Sequence, residues 1–288
     1  MPEDTTRTFY ESDSCDWYPA PCYFKFANEE FENRAISILM FKFNNGLYLD
    51  NGCGDGRLIN KVINYPVKRI IGMDISRRQL TLAKRKIHDE RVDFIRGSVM
   101  ALPFKDGVFD RLLCWSVLIH LNKKEYRDSA LKEMSRTIKQ DGKIAINIKN
   151  YPALIYHVFS YIYWRLKNLI ISSFGENDNG LSKQKIHSSF KKGCYHRVSW
   201  NTNEELFLQR FTKNDIENNL AKSNMYFINR FGQGIFLPDG FDVVLEKVMR
   251  YKIIGIPLGK TDRVLSAFMP FFTDNIVYFI RKKPDTHH

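Results

Sequence analysis

The sequence contains no CxxC pair. Its five cysteines, Cys15, Cys22, Cys53, Cys114 and Cys194, are odd in number and scattered, which argues against a zinc site or a disulfide framework. It has no uncharged apolar run of bilayer-spanning length. The most apolar stretch, "PALIYHVFSYIYWRLKNLII", is broken by Arg165 and Lys167. The opening "MPEDTTRTFYESDS" is acidic and polar, so it does not read as a secretory leader. Internal repeats are absent. Acidic residues are the minority: 32 Asp and Glu stand against 44 Lys and Arg, a formal charge of +12. Such a surface attracts polyanions without choosing among nucleic acid, anionic lipid and phosphorylated substrates. What is present is apolar material, 44% hydrophobic and 14% aromatic over 288 residues, enough for one large α/β domain with an elaboration. Cys53 and Cys114 fall in predicted core segments, so a reducing, cytoplasmic location is expected.

Strand and helix signals alternate from residue 46 onward. "LYLDNG", "RIIGMD", "VDFIRGS", "FDRLLCWS" and "DGKIAINIKN" read as strands, the last opening on an Asp-Gly turn. Between them, "RRQLTLAKRKIH" reads as a helix capped by Ser76, and "KEYRDSALKEMSRTI" as an amphipathic helix. A further helix is predicted from about Asn28 to Phe43. This order implies βαβ units and a parallel sheet. The pattern breaks near Tyr151. On a helical wheel Ile155, Val158, Phe159, Ile162, Leu166 and Leu169 share one face. That helix is expected to cover the sheet or the active site, or to lie on a membrane surface. Residues 173–200 read as a loop, with five Lys or Arg and no acid in "SKQKIHSSFKKGCYHRVSW". "FTKNDIENNLAKSN" is a helix with Thr212 at its cap, and "MYFINRF" and "NIVYFIRKK" complete about seven strands.

The stretch "YLDNGCGDGRLI" places Gly52, Gly54 and Gly56 at alternate positions after Asp50. Glycine removes the Cβ that keeps a ligand off the backbone. A strand ending in such a turn and entering a helix is expected to present free N–H groups to a nucleotide or its analogue. Dinucleotide sites want G-x-G-x-x-G; here the spacing is G-x-G-x-G, with a carboxylate just before it. An anion would be repelled by Asp50, whereas a ligand with a cationic end would be held. Asp74, ending the second strand, can accept both hydroxyls of a ribose; its alternative is a helix-capping carboxylate.

With these residues in order, the chain resembles the class I S-adenosylmethionine-dependent methyltransferases, in particular their small-molecule and ubiquinone-biosynthesis-like group. The resemblance rests on "LDNGCGDG", "IIGMDIS", "FIRGSVMALPFKDGVFDRLLCWSVLIHL" and "KEMSRTIKQDGKIAINI", in that order. It implies a Rossmann-like, seven-stranded, mostly parallel sheet with helices on both faces and an antiparallel last strand. It implies S-adenosyl-L-methionine as cofactor; no metal is expected. Gly52, Cys53 and Gly54 would pack against the methionine part, and Gly56 would complete the cofactor-binding turn. Asp50 would orient its ammonium, Asp74 would hold the ribose, and Ile75 would lie on the adenine. Ser98 and Val99 would flank the adenine edge, Ser98 standing where the family usually has Asp. Cys114 and Trp115 would lie near the reacting methyl.

Residues 1–45 are then expected to form a lid and helix, with Tyr10, Tyr18 and Tyr23 over the cofactor or packed as surface. Residues 46–150 would be the cofactor-binding core, 151–210 a helical and basic substrate insertion, and 211–286 the rest of the sheet. His120 and His196 are the expected general bases, the alternatives being a helix-start packing role and a solvated loop. Tyr195, Arg197 and Trp115 are the expected acceptor contacts. The expected reaction is in-line methyl transfer to oxygen or carbon of a small-molecule or lipid-linked acceptor. Residues 183–197 would supply any contact with a membrane surface or RNA. The alternatives are an RNA (tRNA) methyltransferase, a non-catalytic cofactor-binding protein and an NAD-linked oxidoreductase. "CWSV" stands where amino-methylating nucleic-acid enzymes carry an NPPY-type tetrapeptide, and no RNP-type motif is present.

Overall fold

The computed structural model describes residues 3–11, 22–150, 194–198, 205–233, 261, 264–266 and 273–284. Two helices come first, α1 (Glu3–Glu11) and α2 (Cys22–Leu39). Five strands follow, β1 (Leu47–Asn51), β2 (Arg69–Asp74), β3 (Val92–Arg96), β4 (Phe109–Trp115) and β5 (Ile138–Asn150). Interleaved with them are α3 (Ile59–Val62), α4 (Arg77–Lys86) and α5 (Lys124–Thr137). The remainder is β6 (Cys194–Val198), β7 (Glu205–Phe211), α6 (Lys213–Lys222), β8 (Met225–Gln233) and β9 (Asn275–Lys282).

The pairings β3-β2-β1-β4-β5 are parallel. β9 then pairs antiparallel with β5, and β8 antiparallel with β9. This is the expected sheet with its antiparallel last strand. It lies between two apolar layers because neighbouring residues along each strand face opposite sides. Leu49, Leu112, Ile144, Ile146, Ile276 and Tyr278 join Ala130, Leu131 and Met134 of α5 and Ile216 and Leu220 of α6 on one face. Tyr48, Ile70, Leu113, Ala145, Val277 and Phe279 join Ala35, Ile36 and Leu39 of α2, Ile59 and Val62 of α3 and Leu80 of α4 on the other. Each such aliphatic side chain contributes about 1.5–3 kcal/mol on burial.

The helix boundaries follow local chemistry. Ser76 caps α4, its side chain accepting from Gln79 N. Thr212 and Asp215 form a reciprocal capping box on α6. α2 begins well before Asn28 and stops at Leu39, short of Phe43.

Three expectations are corrected. The described strands number nine, not seven, because β6 and β7 form an antiparallel hairpin. Part of the stretch read as a loop is therefore strand β6. Among the described residues the hairpin pairs in register with β5 at Lys149↔Arg210 and Asn150↔Phe211. Finally, the Asp141-Gly142 pair does not open β5. The strand begins at Ile138, and its register on β4 shifts from Phe109↔Ile138 to Arg111↔Lys143, so the extra residues form an irregularity inside it. The predicted helix at 152–171 lies outside the described residues, as does the basic stretch up to Gly193.

Candidate active site

β1 is the central strand, with β2 on one side and β4 on the other. The chain reverses its winding there, so the carboxyl end of β1 opens onto a crevice at the switch point. Asp50 sits at that end, opposite Gly72 of β2 and Leu113 of β4. It is 1% exposed, yet neither carboxylate oxygen has a hydrogen-bond partner. Burial, then the nearby Asp74, push its pKa up to about 7, and Arg57 opposes them. The side chain of Asn51 and the hydroxyl of Tyr48 are also buried without partners. A carboxylate so placed is costly unless a ligand answers it.

All three glycines lie at positive φ. A Cβ on Gly52 would run into Val117 Cγ2, and one on Gly56 into Ile87 of the α4 C-terminus. Gly54 is different: the nearest atom to its Cβ position is Gln79 Oε1 at 3.8 Å, an ordinary contact, so its positive φ and not crowding calls for glycine. The loop's amides are not free, contrary to expectation. Gly52 N and Cys53 N donate to Met73 O at 2.7 and 2.9 Å, and Gly54 N donates to Asp74 Oδ2 at 2.8 Å. The helix that follows, α3, is a single turn. The loop therefore offers carboxylates and no row of N–H donors. That chemistry fits a cation and does not fit a diphosphate.

Asp74 ends β2 with a second carboxylate. It accepts from Gly54 N and from Ser76 N, at 2.9 Å for the latter. Burial raises its pKa, and those amide bonds counter the rise. Two further acceptor positions of the carboxylate suit a ribose diol. The alternative role, capping α4, belongs to Ser76 instead. Next to it, Ile75 is half-buried and its carbonyl accepts from Arg96. Ser98 Oγ accepts from Met100 N at 3.1 Å, and Val99 is buried in the core.

α1 lies across this edge. Its Tyr10 carbonyl accepts from Ser76 Oγ at 3.0 Å. The Glu11 carboxylate accepts from Arg77 N and Arg78 N at the first turn of α4, at 2.8 and 3.2 Å. Glu11 thus closes amides that the helix leaves open and meets the positive end of its dipole. Glu11→Ala is expected to loosen α1 and speed release of a ligand bound at Asp74 about five-fold, read by stopped flow, since such a contact contributes roughly 1 kcal/mol. An unchanged release rate would show that α1 does not cover the ligand.

On the other side of the crevice, the chain leaving β4 turns sharply. Ser116 has φ 56° and its hydroxyl donates to Asn147 Oδ1 at 2.7 Å. Cys114 is fully buried, its thiol pushed well up by burial and by Asp50. Cys53 is buried beside the glycines, its thiol raised for the same causes plus Asp74. Both thiols stay protonated and serve as packing surface. Trp115 meets Phe31 of α2 edge to face, with ring centroids 5.5 Å apart. His120 closes a 3-10 turn. Its Nδ1 lies 3.0 Å from Phe207 O of β7 and its Nε2 3.1 Å from the Tyr10 hydroxyl.

The fold thus brings Asp50, the glycine loop, Asp74 and Ile75 together. It also gathers Cys114, Trp115 and His120 at the neighbouring β4 end. Tyr195, His196 and Arg197 lie on β6, where His196 pairs with Phe207, the residue whose carbonyl meets His120. Two contributors escaped the sequence reading. Asn147 was legible as a polar residue inside the apolar run "KIAINIK", whereas Glu11 gave no signal because its partners lie 66 residues away.

Residues 49–146 match the family model described as a methyltransferase domain. This stretch is a methyltransferase domain. The methyltransferase domain also aligns with known proteins. An uncharacterised protein of Methanocaldococcus jannaschii is 38% identical over 159 residues, 52% of this chain and 63% of that one. A demethylmenaquinone methyltransferase of Lactococcus lactis is 34% identical over 92 residues, 31% of this chain and 35% of that one. The chain therefore spans less than two thirds of these curated relatives. Among solved structures, the 1,6-didemethyltoxoflavin-N1-methyltransferase of Burkholderia thailandensis, bound to S-adenosylhomocysteine, superposes with a TM-score of 0.55. That match is at 15% identity and covers 98% of this chain and 91% of that one; it shares the fold. The cofactor of the methyltransferase domain is S-adenosyl-L-methionine, and the site's chemistry fits it: unpartnered Asp50 for an ammonium and Asp74 for a ribose.

Asp74→Ala is expected to weaken binding of S-adenosylhomocysteine by about 1.5–3 kcal/mol, through the lost charge-assisted contact. The variant also releases Gly54 N, so the glycine loop loosens with it. Calorimetry showing unchanged affinity would place the ribose elsewhere.

Proposed function

We propose that the protein transfers a methyl group from S-adenosyl-L-methionine to an oxygen or carbon atom of a small-molecule or lipid-linked acceptor. The single observation that carries this reading is the buried, unpartnered Asp50 at the end of β1, beside a loop whose amides are already taken. When bound, the sulfonium supplies a methyl group and its sulfur keeps the electrons of the broken bond.

The chain's own residues do the rest. Asp50 orients the ammonium and Asp74 the ribose, with Ile75, Ser98 and Val99 around the adenine. Gly52, Cys53 and Gly54 bring the backbone against the methionine part. Cys114 and Trp115 exclude water next to the methyl group. Alignment of this kind can lower the barrier by about 7–11 kcal/mol. His120 serves as the general base for an oxygen acceptor, and Tyr195, His196 and Arg197 contact the acceptor. The expected setting is the cytoplasm or a membrane surface facing it. Among the described residues no helix is long and apolar enough to cross a membrane.

The test is transfer of tritium from methyl-labelled cofactor, traced into small-molecule, lipid and RNA fractions. Label confined to RNA would replace the proposed acceptor with a nucleic acid. Calorimetric preference for NADH over S-adenosylhomocysteine would overturn the cofactor assignment in this chain.

A further inference from the structure

His120 is held at both ring nitrogens, by partners from two separate parts of the chain. Phe207 O is a carbonyl and can only accept, so Nδ1 carries the hydrogen and donates to it. In the neutral imidazole Nε2 is then the lone-pair nitrogen, to which the Tyr10 hydroxyl, 3.1 Å away, donates. The rings meet edge to face with centroids 5.8 Å apart. Tyr10 itself is fixed on the far side, where its backbone carbonyl takes the hydroxyl of Ser76, two residues beyond Asp74. It therefore lies between the ribose-side acid and the imidazole. A hydroxyl that donates to a base is an acceptor on its remaining lone pairs. That is the arrangement of a nucleophile–base–orienter triad in which the first member passes a proton on.

We propose that Tyr10 of α1 is a catalytic residue, the group that meets the acceptor's hydroxyl and relays its proton to His120. This inference rests on the methyl-transfer reading and names the acceptor chemistry: a proton-bearing oxygen. As the new O–CH3 bond forms, the acceptor's O–H bond breaks and its proton passes to the Tyr10 oxygen. The Tyr10 proton moves at the same time to His120 Nε2. The imidazolium so formed is stabilised by Phe207 O and later returns its proton to water. Charge balances, because the positive charge that leaves with the methyl group reappears on His120. Tyr10 and His120 act as one unit, and the relay is assembled only while α1 is docked on α4.

The experiment uses the full chain and two readouts. With S-adenosylhomocysteine bound and histidine labelled with 15N, long-range proton–nitrogen spectra should show His120 as the Nδ1–H tautomer. In Tyr10→Phe the Nε2 resonance should move toward that of a non-bonded imidazole nitrogen. Tyr10→Phe keeps the backbone carbonyl that holds Ser76, so S-adenosylhomocysteine affinity should stay within two-fold. Label transfer from methyl-tritiated cofactor to a protein-free extract of the source cells should fall about 10²-fold in kcat, with KM for the cofactor little changed. His120→Gln should lose as much, and the double variant no more than either. An Nε2–H tautomer, kcat within three-fold in Tyr10→Phe, or losses that multiply in the double variant would each overturn the relay and leave methyl transfer standing. A wild-type chain that binds S-adenosylhomocysteine and labels nothing would overturn both.

Discussion

Asp50→Asn is expected to stabilise the ligand-free protein at pH 8 and, in the same variant, to remove most of its affinity for S-adenosylhomocysteine. Burial lifts the Asp50 carboxyl from 3.8 to about 7. Between pH 4 and 7 the native state holds a proton that the unfolded chain has released. Bound protons are then more numerous in the native state, so stability falls as pH rises through this window and levels off above it. The shift corresponds to roughly 4 kcal/mol lost by pH 8. Asparagine carries no charge to bury, although its amide finds no partner either, which costs about 1–3 kcal/mol. The net gain at pH 8 is therefore about 1–3 kcal/mol, a few degrees in melting temperature for a chain of this size. At pH 5, where native Asp50 is already neutral, the gain should vanish.

Binding runs the other way. An ammonium is held by the ionised carboxylate, so the wild type must release the Asp50 proton on binding at low pH. Its affinity should rise about ten-fold per pH unit up to about pH 7 and then flatten. Asp50→Asn should lose about 10–100-fold in affinity at pH 8, the worth of a charge-assisted contact, and should show a flat pH profile below 7. Thermal denaturation and calorimetry at pH 5 and pH 8 check both halves. A variant equally stable relative to wild type at the two pH values would show that Asp50 is not the titrating group.

The sheet was legible because its strands carry apolar residues on both faces. "RIIGM", "LLC", "IAINI" and "IVYFI" need helices above and below, and both clusters of the core are built from them. Asp50 and Asp74 were legible for the opposite reason: each is a charge at the end of an apolar run, where a buried carboxylate needs a partner. The direction of the loop's amides was not. A glycine turn looks the same whether its N–H groups face a ligand or, as here, the Met73 carbonyl and Asp74. The β6–β7 hairpin was hidden by composition, since "CYHRV" continues a basic stretch and lacks the alternation of a half-buried strand. The Glu11 and Tyr10 contacts join α1 to positions 66 to 110 residues away, a separation that no local pattern encodes.

The largest loss of stability is expected at Asp274. Its carboxylate is 0% exposed and takes Lys149 Nζ at 2.8 Å and Arg210 Nη1 at 2.7 Å. Both cations are buried too, and Arg210 also donates to Asn150 O at 2.8 Å. Lys149 and Asn150 end β5, Arg210 belongs to β7, and Asp274 precedes β9, so one carboxylate ties three strands where the hairpin meets the sheet. Replacing such an ion cluster by apolar residues can be neutral, but removing one shared partner leaves buried positive charge less compensated, at about 3–5 kcal/mol. Asp274→Ala is expected to lower stability by that amount in denaturant titrations, and Asp274→Asn by most of it, since the amide keeps shape and lacks charge. The effect reaches the active site through geometry. β7 holds only two register pairs with β5, and Phe207, which fixes the hydrogen of His120, lies three residues before Arg210. In Asp274→Asn the His120 Nδ1–H signal should therefore broaden or exchange faster, while S-adenosylhomocysteine affinity, which we assign to Asp50 of β1 and Asp74 of β2, should stay near the wild-type value. Loss of ligand affinity with an unaltered His120 signal would mean that the cluster supports the cofactor side of the crevice and not the hairpin.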